Sequence, residues 1–155
     1  MTNNSIIHVD TLETTSSQNI EEPVMIDLSQ HYGLIQFSGE DASTFLQNQL
    51  TCDMREISEH QASYGSYCTP KGRVLVSFLL FQYNNNYILQ LPINLCEPLQ
   101  KRLSLYKLRA KVTIENVSDE YACIGLAGYH LSQALIILFA SVPMLDQPLR
   151  FVDLN

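Results

Sequence analysis

The chain of 155 residues is long enough for one domain with a substantial core, or for one domain and part of a second. Its apolar share of 46% is that of a globular protein, and its formal net charge of -7 argues against a general nucleic-acid binder. No apolar run approaches the ~20 residues that a membrane-spanning helix needs.

The N-terminus and the cysteines indicate the compartment. The N-terminus is polar where a signal peptide would have its charged and apolar regions, which favours a cytoplasmic protein. The four cysteines lie at least fifteen residues apart, a spacing of neither a CxxC pair nor a zinc site: Cys52, Cys68, Cys96 and Cys123. We therefore expect free thiols and no metal centre in this chain.

The first part of the chain changes from a polar tail to a strand and a helix. Residues 1–22 are rich in Ser, Thr, Asn and Glu without periodicity, which predicts a flexible N-terminal tail. Strands are predicted at 24–28 and, more clearly, at 32–37. A helix follows at 40–50, with Ser38 as its N-cap and two acids in its first turn.

Residues 63–92 predict three strands joined by two tight turns. Pro70-Lys71-Gly72 forms the first turn, because Pro presets φ and Gly tolerates positive φ. The segment 74–83 is dominated by Val, Leu and Phe, which predicts a central strand covered on both faces. Asn84-Asn85-Asn86 forms the second turn, and 87–91 is the returning strand.

A second helix is predicted at 95–108 and a last strand at 111–115. The helix has an apolar stripe at helical spacing: Leu95, Leu99, Leu103 and Tyr106. The order is therefore strand, helix, three strands, helix and strand. It predicts an α+β fold in which the helices pack on one face of a mostly antiparallel sheet.

The segment 121–128 resembles 32–39 at a constant offset of 89 residues. Five pairs agree in residue type: Tyr32 and Tyr121, Ile35 and Ile124, Gly39 and Gly128, Ser43 and Ser132, Leu46 and Leu135. Either this common pattern of strand, glycine and helix arose by chance, or the chain contains an internal repeat. A repeat divides the chain into a tail at 1–22, a first α+β repeat at 23–117 and the start of a second, truncated repeat at 118–155.

No catalytic motif is present, but three groups of side chains could bind a flat, anionic ligand. Gln49 and Asp53 cluster at the end of the first helix, where they can satisfy end carbonyls or hydrogen-bond a heterocycle. Lys71 and Arg73 flank a tight turn that is either an ordinary hairpin or a carboxylate site. Tyr32 can pack against the core or stack on a ring.

The cations of the chain are unevenly distributed. Seven of the nine lie between positions 71 and 111, although the chain as a whole is acidic. This cluster is either a solvated helix face or a local site for an anionic ligand.

Four blocks of the sequence form a recognisable series: LIQFSGEDASTFLQNQLTCDM, YCTPKGRVLVSFLLF, LSLYKLRAKVTI and CIGLAGYHLSQALIILF. They resemble the YgfZ family, which comprises folate-binding relatives of the glycine-cleavage T-protein, an aminomethyltransferase. They occur in the family's order and spacing between Val24 and Phe139. The resemblance implies a folate-binding domain of two related α+β repeats, which agrees with the offset of 89 residues.

The resemblance also implies a ligand and a cellular role. It implies binding of tetrahydrofolate or a related folate, and a role in iron–sulfur protein maintenance and tRNA modification, with iron–sulfur enzymes as partners. An aromatic at the position of Tyr32 helps to hold the folate in the family. Gln49, Asp53, Lys71 and Arg73 match motif positions and complete the predicted ligand-binding set. We expect no direct contact with nucleic acid or a membrane.

Two departures from the family's pattern shape the functional prediction. Aminomethyltransferases have an acidic pair just past the turn, one acid being catalytic, where this chain has Val74-Leu75-Val76-Ser77 without a carboxylate. The family's later signature, Lys-Gly-Cys-(Phe/Tyr)-x-Gly-Gln-Glu, does not occur in this sequence. We therefore expect a folate-binding accessory protein rather than an enzyme. The alternatives are an aminomethyltransferase and a truncated remnant that does not bind folate.

Overall fold

The computed structural model describes residues 6–8, 24–128 and 151–153. Its main element is a five-stranded antiparallel sheet in the order β4-β5-β6-β3-β7. The strands are β3 (Tyr32–Ser38), β4 (Ser63–Cys68), β5 (Val74–Tyr83), β6 (Asn86–Pro92) and β7 (Thr113–Asn116). Two helices accompany them, α1 (Ala42–Gln49) and α2 (Ile93–Tyr106). The predicted α+β class with a mostly antiparallel sheet is confirmed.

Two smaller sheets are formed by the remaining strands. The first pairs β1 (Ile6–His8) with β9 (Phe151–Asp153), and the second pairs β2 (Val24–Asp27) with β8 (Ile124–Ala127). Residues 6–8 are the described part of the predicted tail, and residues 129–150 of the predicted second repeat lie outside the described residues. No helix in the described ranges is both long and apolar enough to cross a membrane.

Both predicted turns of the meander are present. Asn84 and Asn85 join β5 to β6 with φ of 48° and 61°, a left-handed conformation that Asn tolerates better than most residues. Gly72 takes φ of 79° between β4 and β5. The order of three strands in 63–92 therefore follows from local turn chemistry.

The two helices cover one face of the main sheet, which we call the first face. Odd-numbered residues of β3, including Ile35 and Phe37, point to this face and are fully buried. They pack with helix residues in one hydrophobic cluster: Ala42, Phe45, Leu46, Cys96, Leu99 and Leu103. Helices on a single face agree with the sequence prediction.

The start of α1 differs from the prediction. Ser38 is the last residue of β3, not the N-cap, and the helix begins at Ala42 with no acid in its first turn. Asp41 occupies the capping position without capping the helix. Its carboxylate instead accepts the backbone N–H of Lys111 at 2.7 Å, which fixes the helix start beside the chain entering β7.

The helix α2 lies two residues earlier than predicted. It starts directly after Pro92 and ends at Tyr106, because Leu108 takes a left-handed φ of 46° that no helix can continue. Tyr106 belongs to the predicted apolar stripe but is 47% exposed. The following strand, predicted at 111–115, is paired from Thr113 to Asn116.

The opposite, second face of the sheet is only partly covered. Leu79, Phe81 and Ile88 are buried there in a separate hydrophobic cluster. The first half of β5 was predicted to be covered on both faces, but Val74 and Leu75 are 54% and 40% exposed. The reason is length: β6 ends at Pro92, so the first residues of β5 extend beyond their neighbouring strand.

The strands β2 and β7 exchange partners: each pairs with the strand that follows the other one in the chain. The strand β2 leads into β3 but pairs with β8, whereas β7 leads into β8 but pairs with β3. The two registers are identical after a shift of 89 residues, because Val24 opposes Ala127 as Thr113 opposes Ser38.

The turns after β2 and β7 make the same hydrogen bonds. Ser29 Oγ accepts the Cys123 N–H at 2.9 Å, and Ser118 Oγ accepts the Leu34 N–H at 2.9 Å. The strands β3 and β8 are each followed by a glycine of positive φ: Gly39 at 112° and Gly128 at 128°. The two segments therefore share a pattern of backbone contacts as well as a pattern of sequence.

Candidate functional site

One row of residues crosses the second face near the start of β3. Tyr32 opposes Pro92, and Ser66 opposes Ser77. Leu79 on β5 opposes Gln90 on β6. Two residues further along, the same register puts Ser77 opposite Pro92, so the two pairs lie in one row. The Ser66 and Ser77 hydroxyls lie 3.3 Å apart. Tyr32 and two hydroxyl groups therefore share one end of one sheet face.

This end of the second face is open. Tyr32 is 40% exposed and Leu75 is also 40% exposed, whereas Leu79 in the next row is only 5% exposed. Tyr64, beside Leu79 on β4, is 55% exposed. We call this open surface the shelf: Tyr32, Tyr64, Ser66, Leu75 and Ser77. Its aromatic, aliphatic and hydroxyl groups can accept a flat ring with polar edges.

The turn between β4 and β5 stands beyond the shelf and is fixed by three hydrogen bonds. The Thr69 N–H donates to the Arg73 carbonyl at 2.8 Å, and the Gly72 N–H donates to the Thr69 carbonyl at 2.8 Å. The Thr69 hydroxyl oxygen accepts the Arg73 N–H at 3.1 Å. Lys71 and Arg73 are exposed, and neither forms an ion pair within the described residues. The turn therefore presents two available cations.

Sheet geometry gives the separation of the aromatic and cationic groups. Arg73 lies four residues along β5 from Ser77, about 13 Å, and β5 lies two strands from β3, about 10 Å. Tyr32 and Arg73 are therefore about 16 Å apart. An elongated ligand with a ring at one end and an anionic group at the other can reach both.

Gln49 and Asp53 lie at the opposite edge of the sheet. The segment between them is held to β4, because the Thr51 N–H donates to the Ser66 carbonyl at 3.1 Å and Thr51 Oγ1 accepts the Ser66 N–H at 2.8 Å. Tyr32 is thus four strand spacings from Thr51, about 19 Å. The structure places Arg73 about 16 Å from Tyr32, and it places Gln49 and Asp53 across the sheet from Tyr32.

Asp53 has a local structural role. Its carboxylate accepts the Arg55 backbone N–H at 3.0 Å and pairs with the Arg55 guanidinium at 2.5 Å, at the start of the short 3₁₀ turn Met54–Glu56. These bonds to Arg55 hold the pKa of Asp53 at about 2. Gln49 is half-buried and makes no side-chain hydrogen bond within the described part of the chain.

Lys111, the last cation of the other basic segment, lies far from Tyr32. Lys111 lies beside Asp41, next to the end of β3 at Ser38, whereas Tyr32 is the first residue of that strand. Six residues of β3 separate the two ends by about 20 Å. The turn with Lys71 and Arg73 is therefore closer to Tyr32 than Lys111 is.

Sequence reasoning missed Tyr64, Ser66 and Ser77. Each lies on a strand whose alternation was visible, but alternation does not reveal which strands are neighbours. Ser77 also lies where a carboxylate was noted to be absent, and its neighbour Val76 is buried in the core of the first face. The five shelf side chains include no carboxylate or imidazole for proton transfer.

Comparison with known proteins identifies the fold family. Residues 13–154 match the model of the GCVT N-terminal domain. The tRNA-modifying protein YgfZ of Colwellia psychrerythraea is 35% identical over 135 residues, covering 84% of this chain and 41% of that protein. The YgfZ protein of Vibrio vulnificus strain YJ016 is 32% identical over 119 residues, covering 77% of this chain and 36% of that protein.

Aminomethyltransferases are also similar to the chain. The aminomethyltransferase of Caldanaerobacter subterraneus subsp. tengcongensis is 37% identical over 107 residues, covering 67% of this chain and 28% of that protein. The crystal structure of glycine cleavage system aminomethyltransferase T from Bartonella henselae superposes with a TM-score of 0.64 at 17% identity, covering 79% of this chain and 33% of that one. The chain thus spans less than half the length of these relatives. It belongs to the GCVT N-terminal domain family.

Proposed function

We propose that this chain is the N-terminal part of a YgfZ-type tRNA-modifying protein, and that it binds a reduced folate such as tetrahydrofolate on the shelf. The similarity to YgfZ proteins supports the protein type. The observation that supports the ligand is the exposed Tyr32 ring, which shares an open sheet face with two hydroxyls and lies about 16 Å from two unpaired cations.

In this proposal the pterin ring stacks on Tyr32, and the rest of the folate crosses the shelf past the Ser77 and Ser66 hydroxyls, which lie two and three strand spacings from Tyr32. The glutamate carboxylates reach Lys71 and Arg73, whose positive charge favours an anionic tail. Gln49 and Asp53 remain a separate prediction, because a ring stacked on Tyr32 would lie four strand spacings away from them. The Arg55 bonds of Asp53 also occupy the groups with which it would bind.

The wider role follows from the protein type. We propose a cytoplasmic protein that supports iron–sulfur enzymes of tRNA modification, acting on them rather than on nucleic acid directly. The recurrence of contacts at an offset of 89 residues supports a first repeat at 23–117 and the beginning of a second at 118–155.

Aminomethyl transfer is the weaker candidate. The similarity to an aminomethyltransferase favours it. The shelf side chains, however, offer no general acid or base, and Val76 faces the apolar core. An assay for methylene transfer to tetrahydrofolate from an aminomethyl donor decides between the two, and we expect no turnover.

The test of folate binding is thermal unfolding with and without tetrahydrofolate. A ligand that binds only the folded state must raise the melting temperature. Tyr32→Ala is expected to weaken binding about tenfold or more, since stacking on an aromatic side chain contributes about 1–3 kcal/mol. The matched control is Tyr106→Ala, which removes another half-exposed tyrosine from the end of α2. Equal folate shifts in both variants would remove Tyr32 from the site.

A second comparison tests whether the glutamate part of the folate contacts Lys71 and Arg73. Lys71→Gln/Arg73→Gln is expected to weaken binding of tetrahydrofolate but not of tetrahydropterin, which lacks the glutamate. Lys107→Gln/Arg109→Gln is the control, with the same charge change at the far end of the sheet. If neither double variant alters folate binding, the glutamate part of the folate contacts neither Lys71 and Arg73 nor Lys107 and Arg109. A wild-type chain that ignores folate would instead indicate a remnant without a site.

A further inference from the structure

The most exposed large apolar side chains in the described residues lie together at the end of α2. Leu108 is 88% exposed and Leu105 is 76% exposed, and Tyr106 between them is 47% exposed. We call Leu105–Arg109 the α2 tip. Single exposed leucines are ordinary on a protein surface, but two leucines and a tyrosine within four residues form an apolar patch.

The backbone of the α2 tip adds a second, independent observation. Leu108 has φ of 46°, a conformation that is strained for a residue with a branched side chain. It is the second residue after the helix, where glycine is the usual choice because it ends a helix without strain. The side chain of Leu108 does not offset this strain by burial, so folding alone does not explain a leucine here.

The strained turn is held in place and is not a loose end. The Ala110 N–H donates to the Lys107 carbonyl at 2.8 Å. Immediately afterwards the Lys111 N–H is bonded to the Asp41 carboxylate, and the Lys111 ammonium pairs with Glu40. The leucines are therefore presented on a fixed scaffold, which reduces the entropy lost when a partner binds.

The charge around the α2 tip is opposite to that of the protein. Residues 101–111 contain five cations and no acid, in a chain of net charge -7. Lys101 pairs with Glu97 and Lys111 with Glu40, while Arg102 donates to the Tyr67 hydroxyl at 3.2 Å. Within the described residues, Lys107 and Arg109 form no ion pair. Two available cations therefore flank Leu108.

We propose that the α2 tip is a docking site for an acidic, leucine-binding surface of a partner protein. Leu105 and Leu108 pack against an apolar stripe on a helix of the partner, and carboxylates beside that stripe pair with Lys107 and Arg109. Charge complementarity requires an anionic partner. The leucines favour protein over RNA, because the phosphate backbone offers them no apolar contact, while the net charge of -7 repels RNA. The site is independent of the folate proposal, since it lies at the other end of the sheet.

The experiment measures the anisotropy of a fluorescein-labelled helical peptide of Glu, Ala and Leu, with leucines at every third and fourth position, titrated with the 155-residue chain. We expect salt-sensitive binding. Leu108→Gly and Lys107→Gln/Arg109→Gln should each weaken it about tenfold or more, the usual effect of an interface anchor. The apolar control is Val74→Gly, which removes a 54% exposed side chain from β5 and should leave peptide binding unchanged.

Melting curves separate docking from folding. Leu108→Gly relieves the left-handed strain, so it should melt at or above the wild-type temperature and keep its folate shift while losing the peptide. A lower melting temperature would show that Leu108 serves the fold, and would overturn the proposal. Absence of peptide binding, or binding of total tRNA that is lost in the same variants, would overturn it as well. If tetrahydrofolate does not raise the melting temperature of the wild-type chain while the peptide still binds, the folate proposal fails and the docking proposal stands.

Discussion

Gly39→Ala is expected to be one of the most destabilising single-methyl additions in the chain. Gly39 joins β3 to α1 with φ of 112°, a conformation almost reserved for glycine. A Cβ at this position would lie 2.3 Å from the Lys111 carbonyl oxygen and 3.1 Å from its carbonyl carbon. Both atoms belong to the backbone, so no side-chain rotation relieves the clash.

The magnitude follows from two contributions. Backbone strain at such a φ costs about 1–3 kcal/mol. To make room, the Lys111 carbonyl must move, which breaks its 3.3 Å bond from the Asp41 N–H and disturbs the Lys111 N–H bond to the Asp41 carboxylate, at about 1 kcal/mol each. The sum is about 3–5 kcal/mol, a large part of the 5–15 kcal/mol by which domains are usually stable.

The matched control is Gly72→Ala in the turn beside the shelf. Gly72 also has positive φ, 79°, but no atom lies within 4 Å of an added Cβ. Gly72→Ala should lower the free energy of unfolding by only about 1 kcal/mol and the melting temperature by roughly 2–4 °C. Gly39→Ala should lower the melting temperature by about 10 °C. Thermal unfolding followed by circular dichroism measures both. Equal losses in the two variants would refute the argument from close backbone approach.

Two further predictions concern hydrogen bonds. Ser29→Ala leaves the Cys123 N–H without its hydroxyl acceptor, and Ser118→Ala does the same to the Leu34 N–H. Each variant should therefore lose about 1–3 kcal/mol of stability in urea unfolding, and strongly unequal losses would contradict the equivalence of the two turns. Asp53 has a pKa of about 2 against an ordinary 3.8, so its stabilising contribution is complete above pH 3.8 and is lost as the pH falls toward 2. Asp53→Asn should lower stability at neutral pH and flatten the pH dependence in that window; an unchanged acid profile would contradict the assignment.

The candidate site was only partly predictable from sequence. Residue type drew attention to Tyr32, Lys71 and Arg73, and local turn chemistry placed the two cations on a hairpin. Their relation to Tyr32 depends on the order of β5, β6 and β3, which no local pattern states. Gln49 and Asp53 are equally suitable as residue types. Their distance from Tyr32 follows from pairing of Thr51 with β4, a contact between segments fifteen residues apart.

Local sequence determined the elements of this protein, and tertiary structure determined their neighbours. Asn84, Asn85 and Gly72 fixed the hairpins, because their backbone preferences act within four residues. The offset of 89 residues was likewise visible from sequence. Only the fold decided that β2 pairs with β8 and β7 with β3, because the residue pattern within a strand does not specify its partner. Strand alternation puts Tyr32 and Ile35 on opposite faces of the sheet, but only long-range packing decided that the helices cover the face of Ile35 and leave Tyr32 40% exposed.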